Sequence, residues 1–159
     1  MAQVDKGYSE SDNRNMKPTN RELWQQKTQS AYKDAHAIIA RDFSASRMNA
    51  TKWRTTIKSL ADLGLHYRLR WVDVPDVSVW MHLWIPYPNS TYFDSGPVGP
   101  FKTFTIEWLE VDSYHQWGSS GCIHEQDQTT EVERRLQEKN IPYHWEDQYL
   151  RIVGHVRNR

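Results

Sequence analysis

The residues best suited to chemistry cluster in "SYHQWGSSGCIHEQ". It holds His115, Cys122, His124 and Glu125, all of them types that bind zinc or work as nucleophile and base. Zinc takes three or four such ligands, usually at short fixed spacings, and the spacing here matches no recognisable pattern. A Cys122–histidine pair would need a base beside the thiolate, and no local signature of a cysteine hydrolase accompanies it. The chain also contains no Gly-rich phosphate loop, no GxSxG elbow and no HExxH. Glu107 and Glu110 are three apart. On a flat strand they point to opposite faces and make no carboxylate pair. His82 lies between Trp80 and Trp84, an arrangement that suits either a stacking platform or a half-buried structural histidine. The reading is a chain without catalytic residues, metal or cofactor. A small enzyme using the His115/Cys122/His124/Glu125 loop is the alternative.

Charge points elsewhere. The 159 residues carry 20 Lys and Arg against 20 Asp and Glu, for a net charge of zero. The distribution is uneven. Residues 14–70 hold 12 basic and 4 acidic side chains, whereas residues 81–133 hold 8 acids and the single base Lys102. The two halves can attract each other, or the acidic stretch can meet a basic partner, where such fields raise association rates and reject wrong partners. The basic segment, with Arg68 and Arg70 beside Tyr67 and Trp71, also fits a nucleic-acid-binding adaptor, since phosphate contacts and aromatic stacking are what nucleic acid needs.

Several elements must position these groups. Residues 1–17 are polar and without periodicity, and are expected to form a disordered tail. Thr19 and Glu22 make a capping box for a helix running to about Asp42, within an N-terminal arm of residues 18–47. Asn49 is a good N-cap for a second helix that puts Trp53, Ile57, Leu60 and Ala61 on one face and stops at Gly64. Leu65, Tyr67, Leu69 and Trp71 alternate with polar residues and predict a strand. "VSVWMHLWI" predicts a second strand, apolar on both faces, and "KTFTIEWLEV" a third with Phe104, Ile106 and Trp108 inward. After a loop at about 112–128, a short helix buries Val132 and Leu136. It ends with Asn140 left-handed, Ile141 closing the contact and Pro142 blocking continuation. A hairpin turning near Asp147 follows. The order is α-α-β-β-β-α-β-β, an α+β fold in which an antiparallel sheet of about five strands carries its helices on one face. The α+β domain would span 48–159.

Three segments together resemble a small bacterial domain family of unknown function. They are "MNATKWRTTIKSL" at 48–60, "GPVGPFKTFTIEWLEV" at 96–111 and "QEKNIPYHWEDQYLRIVGH" at 137–155. Members open with Met-Asn-x-Thr-Lys-Trp-Arg, enter a strand through Gly-Pro-x-Gly-Pro and close with helix, Ile-Pro, hairpin. The resemblance covers residues 48–156, and residues 1–47 depart from it. Such small proteins look like the immunity proteins found beside polymorphic bacterial toxins, which implies a cognate protein toxin as partner and no catalytic residues to carry over.

A single cysteine allows no internal disulfide, no apolar run reaches the roughly 18 residues of a membrane helix, and the first residues lack an apolar core. A cytoplasmic protein that binds protein, not membrane, is the expectation. Its surface would combine aromatic anchors with acids: Trp84, Tyr92, Phe93, Asp94, Glu107, Glu110, Asp112, Tyr114, Trp117 and Glu125. The two Gly-Pro pairs stiffen the chain, either as a rigid connector or as a rim presenting Tyr92, Phe93 and Asp94.

Overall fold

The computed structural model describes residues 33–74, 77–78, 80–82, 92–94 and 100–159. The expected tail, the start of the first helix, Trp84 and the Gly-Pro residues 96–99 lie outside them. Helix α1 covers 33–42. It leads into β1 (Phe43–Ser46), α2 (Ala50–Leu60) with a 3-10 turn over Ala61–Leu63, and β2 (His66–Trp71). Short strands β3 (Met81–His82), β4 (Tyr92–Asp94) and β5 (Pro100–Lys102) precede β6 (Ile106–Asp112). Then come β7 (Tyr114–Ser119), β8 (Cys122–Asp127), α3 (Thr129–Glu138), β9 (His144–Glu146), β10 (Tyr149–Val153) and β11 (His155–Arg157).

The organising element is an antiparallel five-stranded sheet in the order β3-β2-β6-β10-β9. Its core face takes Leu65, Tyr67 and Leu69 around β2, Leu109 and Val111 from β6, and Leu150 and Ile152 from β10. Helices α2 and α3 cover that face with Trp53, Ile57, Leu60, Val132 and Leu136. The α+β arrangement with helices on one face is therefore the one that the hydrophobic periodicity predicts.

Local signals account for the helix ends. The Asn49 side chain accepts from the Lys52 amide at 2.8 Å, and Gly64, at φ 63°, ends the turn after α2 in the left-handed region that glycine adopts without penalty. Asn140 is left-handed after α3, and Ile141 is buried with its amide on the Leu136 carbonyl. Asp147 is left-handed in the turn between β9 and β10.

Three expectations fail in β6 and around it. Residues Thr103–Thr105 form a 3-10 turn, not strand, and Phe104 is only half-buried, stacked on His36 with centroids 4.3 Å apart. The register of β2 on β6 shifts between Arg70 and Trp71, which pair with Trp108 and Ile106. Glu107 is thus the extra residue of a β-bulge. Ile106 faces the core as expected, but Trp108 turns to the other face while Leu109 and Val111 go inward. The bulge also brings Glu107 onto the face of Glu110, so the two carboxylates do not lie on opposite sides.

Gly154 sits against this bulge. Its amide donates to the Glu107 carbonyl at 2.7 Å, and a Cβ there would come 2.2 Å from the Ile106 carbonyl oxygen and 3.0 Å from the Trp53 ring. Beyond it β11 pairs with β1. A second cluster, Ala35, Phe43 and Val72 with Ile38, Ile39 and Phe104, fastens α1 beside this pair. The described part of the N-terminal arm thereby shares strand pairing with the C-terminal strand and apolar contacts with Val72 and Phe104. The β4 and β5 strands pair with each other, Asp94 opposite Pro100, so the Gly-Pro segment links two paired strands.

Candidate docking surface

The face of the sheet away from α2 and α3 is a network of ions and rings. Glu110 is 0% exposed, with Arg68 Nε at 2.5 Å on one oxygen and Arg151 Nε at 2.8 Å on the other. Glu107, 5% exposed, takes a two-pronged contact from Arg157, 2.7 Å at each oxygen, with Arg70 at 3.2 Å. Rings brace the guanidiniums: Arg68 lies over Trp80 and Tyr149, and Arg151 over Trp108.

Two corrections follow. Glu107 and Glu110 are structural anchors beneath their arginines and not surface acids available to a partner. Arg68 and Arg70, beside Tyr67 and Trp71 in the basic segment, are committed to those glutamates. The unequal halves of the sequence do attract each other here.

The stretch 112–128 is no loop. Tyr114–Ser119 and Cys122–Asp127 pair through six residue positions as an antiparallel hairpin, with Ser120 and Gly121 as its two-residue turn. The signal was present: a Ser-Gly turn between runs containing Tyr, Trp and Ile. The glycine and serine content hid it. Gly118, at φ 132°, approaches Cys122 so closely that a Cβ would lie 2.1 Å from its carbonyl oxygen.

The hairpin is a sheet of its own, and every residue in both strands is exposed except the half-buried His115. Its base is fastened: the Gln128 amide donates to Ser113 O, the Gln128 side chain donates to Leu63 O, and the Ser113 and Thr129 hydroxyls are 3.0 Å apart. Asp127 accepts from the Thr129 amide at the start of α3, which lowers its pKa.

Strand alternation sorts the side chains. One face carries His115, Trp117, Cys122 and His124, in which Trp117 stacks on both His115 and His124. The other carries Tyr114, Ile123 and Glu125. Tyr114 donates its hydroxyl to Glu125 at 2.7 Å, and this bond raises the Tyr114 pKa. Cys122 Sγ and His124 Nε2 come within 3.4 Å, but Glu125 faces the opposite way, so the four residues of the alternative site do not converge. Among the described residues no three His, Cys, Asp or Glu side chains gather as metal ligands.

At the foot of the hairpin lies a cleft of about 320 Å³, lined by Gly64, Leu65, His66, Asp112, Ser113, His115, Trp117, Gln126 and Gln128. Asp112 and Trp117 of the expected surface, with Tyr114 and Glu125 on the reverse face, are thus gathered on or beside the hairpin. Tyr92, Phe93 and Asp94 fall in β4, where only the backbone is described, and Trp84 falls outside the described residues. Ile123, 70% exposed, was missed by sequence reasoning, because exposure of a lone isoleucine has no local signature.

Fold and surface together define a small α+β protein with a one-sided helical layer and a free-standing, aromatic hairpin. The chain belongs to a family of unknown function, DUF6678, whose model matches residues 35–159. The match takes in α1 and β1, so the family pattern begins before residue 48, where the resemblance had placed it. No curated protein and no solved structure matches the chain. Among the described residues no helix is long and apolar enough to cross a membrane.

Proposed function

We propose that this chain is a protein-binding module that docks a partner through the β7–β8 hairpin, and that it serves as an immunity protein, occluding a bacterial toxin. One observation carries the reading: a hairpin exposed on both faces presents Tyr114, Trp117 and Ile123, 45%, 47% and 70% exposed, in a stretch from 103 to 133 without a single Lys or Arg. Exposed aromatic and apolar side chains that converge on one projection mark interaction sites. Asp112 and Glu125, which no arginine brackets among the described residues, call for a basic partner face. The outer edges of the hairpin, which pair with no other strand among the described residues, add main-chain donors and acceptors for docking. Occlusion requires no chemistry, and the dispersal of His115, Cys122, His124 and Glu125 over two faces supports a binding role over catalysis.

The test uses tagged full-length chain as bait in native-host lysate, beside a Trp117→Ala/Ile123→Ser variant. The expected result is a basic-faced protein retained by the wild type, released by salt and lost with the variant, whose toxicity on expression is relieved by the wild type alone. Retention indifferent to the hairpin would overturn the docking reading. A hairpin-dependent partner without toxicity would overturn the immunity reading alone.

A further inference from the structure

Asp112 stands apart from the other acids between 103 and 133. Glu107 and Glu110 are bracketed by arginines, Glu125 accepts from Tyr114, and Asp127 from the Thr129 amide. Glu131 accepts from Arg134 and Arg135, and Glu133 from Tyr143 and Trp145. Among the described residues the Asp112 carboxylate accepts no hydrogen bond, and its nearest charge-bearing neighbour is His115 Nδ1 at 3.8 Å. Its side chain is only 21% exposed, and it lines the cleft at the foot of the hairpin. A partly exposed carboxylate with no hydrogen-bond donor of its own is free to pair with a cation that enters the cleft.

The walls narrow the choice of cation. His66 and His115 meet with ring centroids 4.5 Å apart, and His115 stacks on Trp117 at an interplanar angle of 15°. Flat rings beside a carboxylate suit a flat cation that can both stack and donate in a fork. The Gln128 nitrogen is already committed to Leu63 O, so its oxygen is the end able to accept. Among the described residues no three His, Cys, Asp or Glu side chains are arranged to hold a metal ion, and an anion would face Asp112.

We infer that this cleft takes a guanidinium group, the side chain of an arginine on the docking partner, with Asp112 pairing to it and the His115–Trp117 stack beneath it. The inference rests on the protein-binding reading and names the anchor chemistry of that surface.

The test titrates full-length protein with a blocked Gly-Arg-Gly peptide, followed by amide and imidazole NMR shifts, against the same peptide carrying citrulline, lysine or glutamate. The arginine peptide is expected to shift His66, His115 and Trp117 signals saturably. Citrulline, planar but uncharged, should bind at least about tenfold more weakly, and lysine should fall between. Asp112→Asn should remove the preference of arginine over citrulline. Trp117→Ala, at an exposed position, should weaken all three and serves as second variant should Asp112→Asn fail to fold. Absence of saturable shifts overturns the assignment, as does equal binding of arginine and citrulline or unchanged binding in both variants. A retained partner that still depends on Trp117 and Ile123 would then leave the docking reading standing. Arginine binding without any hairpin-dependent partner would sink the docking reading and keep the guanidinium site.

Discussion

At the scale of single residues, position in the ladder decides what a charge does. Glu110 has no exposure and two arginines. Replacing it with Ala leaves Arg68 and Arg151 facing each other across a gap. Breaking a buried ion network from one side is costly, and partial solvation of the arginines tempers the loss. Glu110→Ala should therefore lower unfolding free energy by about 2–4 kcal/mol in urea titrations, and an unchanged midpoint would show the network to be ornamental to stability. His155 sets a pH dependence. It is buried, with Nε2 2.6 Å from Phe104 O and, among the described residues, no partner on Nδ1. Burial pushes its pKa below the ordinary value, outweighing Phe104 O and Glu107, which raise it. The unfolded chain thus binds a proton that the folded chain resists. Stability should be full above about pH 6.5 and decline as pH falls below it. Urea midpoints at pH 7.5 and 5.5 should differ less in His155→Gln than in the wild type; an equal difference would place the acid sensitivity elsewhere.

At the scale of elements, α2 is held to the sheet by Trp53, fully buried over the β6 bulge and Gly154. Trp53→Ala should cost about 3–5 kcal/mol by the cavity it leaves. Trp53→Phe should cost clearly less, because the indole nitrogen has no hydrogen-bond partner among the described residues to lose. Thermal melts of the two variants separate these cases, and a mild Ala variant would detach α2 from the core. The complementary substitution, Gly154→Ala, forces a methyl against a backbone oxygen that cannot swing aside as a side chain would. It should destabilise by at least about 2 kcal/mol. A neutral effect would mean that the bulge and the β10–β11 bend can spread apart.

At the scale of the whole molecule, charge divides into an internal part and an external part. The arginines of β2, β10 and β11 quench Glu107 and Glu110. What remains for a partner is the hairpin with Asp112 at its foot and Glu125 on its flank. A charge test of association therefore belongs on Glu125, since reversing Glu107 would break the fold. Glu125→Lys should slow association with the basic partner and reduce its salt dependence, with dissociation little changed. Trp117→Ala should instead speed dissociation, with a loss of roughly 2 kcal/mol. Stopped-flow rates at two salt concentrations distinguish the two, and rates untouched by either variant would move the docking surface off the hairpin.

The sequence by itself determined the features that depend on neighbours a few residues away. The Asn49 cap, the Gly64 stop, the Trp53–Ile57–Leu60 stripe, the Leu65–Tyr67–Leu69 alternation, and the left-handed turns at Asn140 and Asp147 all follow from side-chain size, branching and local hydrogen bonding. Helices on one side of an antiparallel sheet follow from those in turn. Tertiary structure alone decided which acids are available. Glu110 meets Arg68 and Arg151 across 42 and 41 positions of chain, and Glu107 meets Arg157 across 50, so no local pattern could foretell their burial. The bulge at Glu107 depends on pairing with β2 and on the approach of Gly154, and it reverses the face that alternation assigns to Trp108. Asp112 escapes such pairing because it lies where β6 leaves the sheet for the hairpin, beyond the reach of the arginines that quench its neighbours.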